Sequence, residues 1–164
     1  MLSTRIELLQ QMPIFGAVRE DALQLLLDQT RSVQVAAGAY FFREQEPAHS
    51  MFVLESGGVA VIKQWRGSEL LLHPLGPGDC FGEMALLDLF PRSASVRAEQ
   101  DSVAIELSPG DLLRLFEKDC EQFALIQMNI AREMCRRLRN ADEMLFKAVM
   151  GDRPQEADTR FQAL

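Results

Sequence analysis

Residues 76–98 read GPGDCFGEMALLDLFPRSASVRA, and the fold turns on how this stretch is read. Gly76, Pro77 and Gly78 form a turn, and Phe81 ends a strand. Gly82, with no Cβ, lets the backbone approach another group closely. Residues 83–89 suit one or two helical turns whose unpaired N–H groups face back toward Gly82, an arrangement that favours anions. Pro91 and Arg92 follow, then the small residues Ser93, Ala94 and Ser95, then a strand through 96–98. An arginine beside small residues suits bidentate pairing with an oxyanion, with backbone N–H groups near enough to help. Glu83 supplies an acceptor for a hydroxylated neighbour. An anion with a diol-like partner describes a sugar phosphate.

Outward from this stretch, the chain changes period twice. Ile6, Leu8, Leu9 and Met12 give a short amphipathic helix that Pro13 stops, and 20–27 repeats apolar residues at helical spacing behind acidic Glu20 and Asp21. Between about 31 and 107 the pattern is of short strands: Val33 with Val35, then 39–42, 51–54, 59–62, 70–72 and 103–107. Turn residues separate them, among them Gly38, Gly57, Gly58 and Gly67, which implies a sandwich or barrel and not βαβ units. From Ser108 the helical period returns. Ser108 and Pro109 read as an N-cap and first helical residue, opening a short helix to about 117. A long helix is expected over about 121–149, ended by Gly151 and Pro154. Along it Gln127, Ala131, Met134, Leu138, Ala141, Leu145 and Ala148 step by four and three, a heptad seam. At about 1.5 Å per residue such a helix spans about 45 Å and outruns a small barrel. A second copy of the helix is the simplest cover for its stripe. The expected organisation is one domain over 1–150, with the barrel at about 31–107 and C-terminal helices at 109–149, and a flexible tail over 151–164.

Composition limits the function. The 164 residues carry 17 basic and 24 acidic side chains, a formal charge of −7. That balance opposes non-specific binding to nucleic acid or an anionic membrane, which needs clustered Lys and Arg. No apolar run approaches bilayer length and no secretory signal is visible, so a cytoplasmic chain is expected. Cys80, Cys120 and Cys135 form no CxxC pair, and His49 and His73 no HxxxH, so neither a disulfide framework nor a metal site is expected. No spacing supports a nucleophile with its base, and the expected chain is not an enzyme.

The run Phe81, Gly82, Glu83, Ala85, Leu86, then Arg92, Ser93, Ala94, Val96 and Ala98 closely resembles the phosphate-binding cassette of cyclic nucleotide-binding domains. This family includes the catabolite activator protein and the regulatory subunit of protein kinase A. Residues 38–44 and 52–62 look like its early strands. The resemblance implies an α+β fold: an eight-stranded jelly-roll β-barrel (a double-stranded β-helix) with N-terminal helices and a long C-terminal helix. It implies that Arg92 clasps a cyclic phosphate, that Glu83 holds the ribose 2′-hydroxyl, and that Gly82, Met84, Ser93 and Ala94 complete the cradle. Residues 134–138 look like the start of the dimerising helix in bacterial members, which brings Arg137 toward Glu83. The same alignment puts Ala141 and Asp142 where hydroxyl side chains contact adenine. Ala141 cannot replace a hydroxyl, and Asp142 suits either purine, so cAMP and cGMP both stay open.

The resulting expectation is a non-enzymatic sensor of a cyclic mononucleotide, cAMP before cGMP. It signals through movement of the C-terminal helix to a protein effector and pairs as a homodimer through that helix. No recognition helix fits in 152–164, so DNA binding through this chain is not expected. The alternatives are a degenerate scaffold that associates without nucleotide, or a truncated transcription regulator.

Overall fold

The computed structural model describes residues 2–88 and 90–151. Helix α1 covers Leu2–Gln10, a 3-10 turn covers Pro13–Phe15 and helix α2 covers Glu20–Leu27. Pro13 opens its turn at a position where a missing N–H costs nothing. On α2, Ala22, Leu23, Leu26 and Leu27 make one buried stripe.

Eight strands follow: β1 Arg31–Val35, β2 Tyr40–Phe42, β3 Met51–Ser56, β4 Val59–Trp65, β5 Ser68–Leu75, β6 Cys80–Phe81, β7 Ser95–Ala98 and β8 Ser102–Leu107. They form a jelly roll of two four-stranded antiparallel sheets, ordered β1-β8-β3-β6 and β2-β7-β4-β5. The first sheet is covered on both faces. Met51, Val53, Ile105 and Leu107 pack with the helices against Leu9, Phe15, Leu23 and Ile126. Phe52, Leu54 and Ala104 face between the sheets with Phe42, Val59, Val61, Phe81 and Val96. Alternate residues of one strand thus enter two cores, which is why 51–54 is an unbroken apolar run.

Strand β5 departs from the sequence expectation. It extends well beyond 70–72, and Leu70, Leu71 and Leu72 are exposed along the edge of the second sheet. Its hairpin with β4 turns through Arg66 (φ 50°) and Gly67 (φ 80°), the left-handed pair that a two-residue turn requires. Val61 pairs with His73 but Ile62 with Leu71, so Leu72 is an extra residue in a bulge.

Helix α3, Pro109–Lys118, begins with a reciprocal cap: the Ser108 hydroxyl accepts from Asp111 N–H, and the Asp111 carboxylate accepts from Ser108 N–H at 2.7 Å. Helix α4 runs over Cys120–Gly151, past the expected end near 149, and Gly151 belongs to its last turn. The rest of the expected tail lies outside the described residues. The 32 residues of α4 are about 48 Å long. Its first half is fixed by buried Gln122, Ile126, Asn129 and Ile130. Asn129 Nδ2 donates to the carbonyls of Ile14 (3.3 Å) and Gly16 (2.9 Å), and Gln122 Oε1 accepts from Arg19 N–H at 2.8 Å. From Leu138 onward every described residue of α4 is exposed. Among the described residues no helix is long and apolar enough to cross a membrane.

Candidate functional site

Strand β6 ends at Gly82, whose φ of 74° starts the 3-10 turn Glu83–Leu86. A Cβ at Gly82 would lie 2.5 Å from Arg92 Nη1 and 3.2 Å from the Phe42 ring. Both the left-handed backbone and the crowding therefore demand glycine. The turn buries Glu83 and Ala85 and leaves Met84 exposed.

Arg92 enters the same space from the chain leading into β7. Only 6% of it is exposed. Its backbone is clamped on both sides: Arg92 N–H donates to Glu46 O, and Gln45 N–H donates to Arg92 O, both at 2.9 Å. The guanidinium lies 3.9 Å from the centre of the Phe42 ring and donates through Nη1 to Gly82 O at 3.3 Å. Phe42 belongs to an aromatic cluster in which Phe52 stacks on Phe81 at 5.4 Å. A desolvated cation on an aromatic face gains about 2 kcal/mol, which holds the arginine in place without neutralising it. Burial lowers its pKa, while Glu106, Glu46 and Glu83 oppose the shift, and an arginine so placed remains charged. Its Nε, buried, has no hydrogen-bond partner among the described residues.

Glu83 is the counterpart. Its Oε1 accepts from Arg137 Nη1 at 2.6 Å across 54 positions of sequence. Its Oε2 is buried with no hydrogen-bond partner among the described residues. Arg137 also donates through Nε to Glu133 at 3.1 Å and through Nη2 to Cys80 O at 3.4 Å. Burial pulls the Arg137 guanidinium down, but Glu83, Cys80 and Glu133 together carry it above its ordinary value. One pocket side chain is thus tied directly to the long helix.

These groups line a single cavity of about 500 Å³. Gly82, Glu83, Met84, Arg92, Ser93, Ala94 and Arg137 all line it. Asp142 does not: together with Ala141 it sits on the exposed stretch of α4, beyond the cavity. From Leu138 onward α4 is exposed and stands clear of the barrel's cavity. The opposite wall was not expected from sequence. Val61 and Lys63 from β4, Leu72, His73 and Leu75 from β5, and Met134 from α4 supply it. Period two along β4 puts Val61 and Lys63 on one face, a usable signal once the register is known. Lys63 Nζ donates to Ser93 O at 3.2 Å and pairs with Glu44 at 3.5 Å, joining the cassette to β4.

The family model for the cyclic nucleotide-binding domain matches residues 32–119, more than half of the chain. The chain belongs to the cyclic nucleotide-binding domain family. Within that family it is 32% identical over 131 residues to the cyclic AMP receptor protein of Thermus thermophilus, covering 79% of this chain and 59% of that protein. It is 31% identical over 107 residues to the cAMP-dependent protein kinase regulatory subunit of Emericella nidulans, covering 65% of this chain and 26% of that one. The crystal structure of the Thermus thermophilus catabolite activator protein superposes with a TM-score of 0.75 at 31% identity, over 84% of this chain and 63% of that one. The chain thus spans about three fifths of the first of these relatives. The chain shares the cyclic nucleotide-binding fold.

Proposed function

We propose that this domain binds a cyclic mononucleotide, cAMP before cGMP, and acts as a regulatory module with no catalytic step. One observation carries the reading: in a single cavity a buried arginine and a buried carboxylate each keep an unfilled hydrogen-bonding atom, Arg92 Nε and Glu83 Oε2. A buried polar atom left unfilled costs about 1–3 kcal/mol, and an anion on Arg92 with a hydroxyl on Glu83 fills both. A cyclic phosphate and its ribose 2′-hydroxyl supply this pair. The apolar wall of Val61, Leu72, Leu75 and Met134 suits a purine, and about 500 Å³ is within the ordinary range of small-ligand sites. Two of the relatives described above carry cAMP in their names, which favours that nucleotide.

In this reading the output passes through Arg137. A hydroxyl on Glu83 Oε2 would share the carboxylate with Arg137, which holds Oε1 and is part of α4. The helix then shifts relative to the barrel, and its exposed stripe, paired with a second copy, presents the change to a protein effector. The three free cysteines suit a reducing cytoplasm.

Calorimetry with cAMP and cGMP tests the reading. The expected result is saturable binding at micromolar concentration or below, lost in Arg92→Leu while its circular dichroism stays native. A folded wild type that binds neither nucleotide overturns it and favours a scaffold that associates without ligand.

A further inference from the structure

Arg92 and Glu83 come from the cassette itself, but one cation beside the cassette comes from another strand. Val59 and Val61 of β4 belong to the core between the sheets, and period two puts Lys63 next on that face. There the core gives way to the cavity, which Lys63 lines together with Arg92, Ser93 and Ala94. An apolar side chain would continue the row. A lysine instead lays its stem along the wall and keeps its ammonium toward water, with 50% of the side chain exposed.

The ammonium is held loosely, and its partner firmly. Lys63 Nζ donates to the Ser93 carbonyl at 3.2 Å and lies 3.5 Å from Glu44 Oε1, an ion pair beyond ordinary hydrogen-bond length. Of its three donors, one is engaged among the described residues. Glu44 is fixed by two other bonds: its N–H donates to Ser95 Oγ at 2.9 Å, and its Oε2 accepts from Gln64 N–H at 3.2 Å. Opening the pair therefore moves the lysine and leaves the glutamate in place. The movement needed is short. The carbonyl oxygen and the nitrogen of one residue are about 3–4 Å apart, so the ammonium stands within about 7 Å of the amide that follows Arg92.

Of the other charged groups in the lining, Arg137 is tied to Glu83 and Glu133, and Asp88 accepts from Phe90 N–H at 3.2 Å. Arg92 and Lys63 each hydrogen-bond only a carbonyl among the described residues, which leaves both open to an anion. A cyclic phosphate spreads its charge over two exocyclic oxygens. We propose that Lys63 is a second phosphate-binding residue, outside the cassette: its ammonium leaves Glu44 and donates to one exocyclic oxygen of the bound nucleotide while Arg92 donates to the other. This rests on the nucleotide reading above and adds an exchange of ion-pair partners on binding. Glu44 competes with the ligand for the ammonium, so the two members of one ion pair have opposite effects on affinity.

The test is calorimetry with cAMP and cGMP on the full chain at low and high salt. The variants are Lys63→Met, Lys63→Arg, Glu44→Gln and the double variant Lys63→Met with Glu44→Gln, each checked for folding by circular dichroism. Lys63→Met should weaken binding about tenfold or more, the worth of one charge-assisted hydrogen bond, and should flatten its salt dependence. The loss should be equal for both nucleotides, because they share the cyclic phosphate and differ in the base. Lys63→Arg, which keeps the charge, should restore most of the affinity. Glu44→Gln keeps an acceptor for Gln64 N–H and should tighten binding about twofold to fivefold, the worth of a partly exposed ion pair. In the double variant the gain should vanish, since no ammonium is left to release. A Lys63→Met variant with wild-type affinity and salt dependence overturns the assignment. So does a Glu44→Gln variant that weakens binding as Lys63→Met does, which would make the pair a structural tie. Both outcomes leave the nucleotide reading standing, whereas a folded wild type that binds neither nucleotide overturns both.

Discussion

At the scale of single residues, the pocket divides its ionisable groups by environment. Cys80 lies just under the Arg137 and Glu83 pair, and burial, followed by the field of Glu83, pushes its thiol up from 9.0 to about 12. Only the thiolate is a nucleophile, so Cys80 should be inert at neutral pH although it borders the cassette. Cys120 and Cys135 are exposed. Iodoacetamide at pH 7.5 should therefore label Cys120 and Cys135 in the native protein and reach Cys80 only in urea, as read by peptide mass spectrometry. Rapid labelling of Cys80 in the folded chain would contradict its burial. The sign of the stability effect follows from the same shift. The folded state holds the Cys80 proton more tightly than the unfolded state, so this contribution is complete below pH 9 and is lost as pH rises toward 12. The denaturation midpoint should drop across that window, and Cys80→Ala should remove that part of the drop.

At the scale of elements, the decisive question is how a long helix is fixed at one end only. Asn129 answers it. Its amide donates to two carbonyls of the turn after α1, and its Oδ1 accepts from Arg132 Nη1 at 3.0 Å. Removing the amide strands the Ile14 and Gly16 carbonyls, a loss of roughly 1–3 kcal/mol. Asn129→Ala should lower the urea midpoint accordingly, and Asn129→Asp should do no better, because a carboxylate cannot donate. An unchanged midpoint for both would show that apolar packing by Ile126 and Ile130 suffices.

The features legible in the sequence were those with local causes. Ser108 with Pro109 marked the start of α3, acidic Glu20 and Asp21 marked α2, and Gly82 marked the turn before Glu83. Arg92, Glu83 and Arg137 were legible because their motif is dense, even though 54 positions separate the Glu83 and Arg137 partners. Asn129 was not legible, since its partners are backbone carbonyls more than 100 positions away. Nor was His73, whose side is set by a one-residue bulge, because a register shift of one moves a side chain to the other face. Asp142 stands outside the cavity lining because its place depends on where α4 leaves the barrel, which no local pattern encodes.

At the scale of the whole molecule, the distal half of α4 is the unresolved demand. Leu138, Leu145, Phe146 and Val149 are 62%, 64%, 63% and 51% exposed among the described residues. Full burial of each such side chain contributes about 1.5–3 kcal/mol, so two copies joined along the heptad seam recover far more than one chain can alone. The seam includes Met134, which also lines the cavity, so the same helix face serves the ligand and the partner. Sedimentation should therefore find a dimer at micromolar concentration. Leu138→Asp combined with Leu145→Asp should convert it to a monomer, because each copy would bring two carboxylates to an apolar seam. The variant should keep its thermal midpoint when dilution has already separated the wild type, since neither leucine belongs to either core. A wild type that sediments as a monomer at high concentration, or a double variant that stays dimeric, would mean that the distal stripe is not the contact between copies.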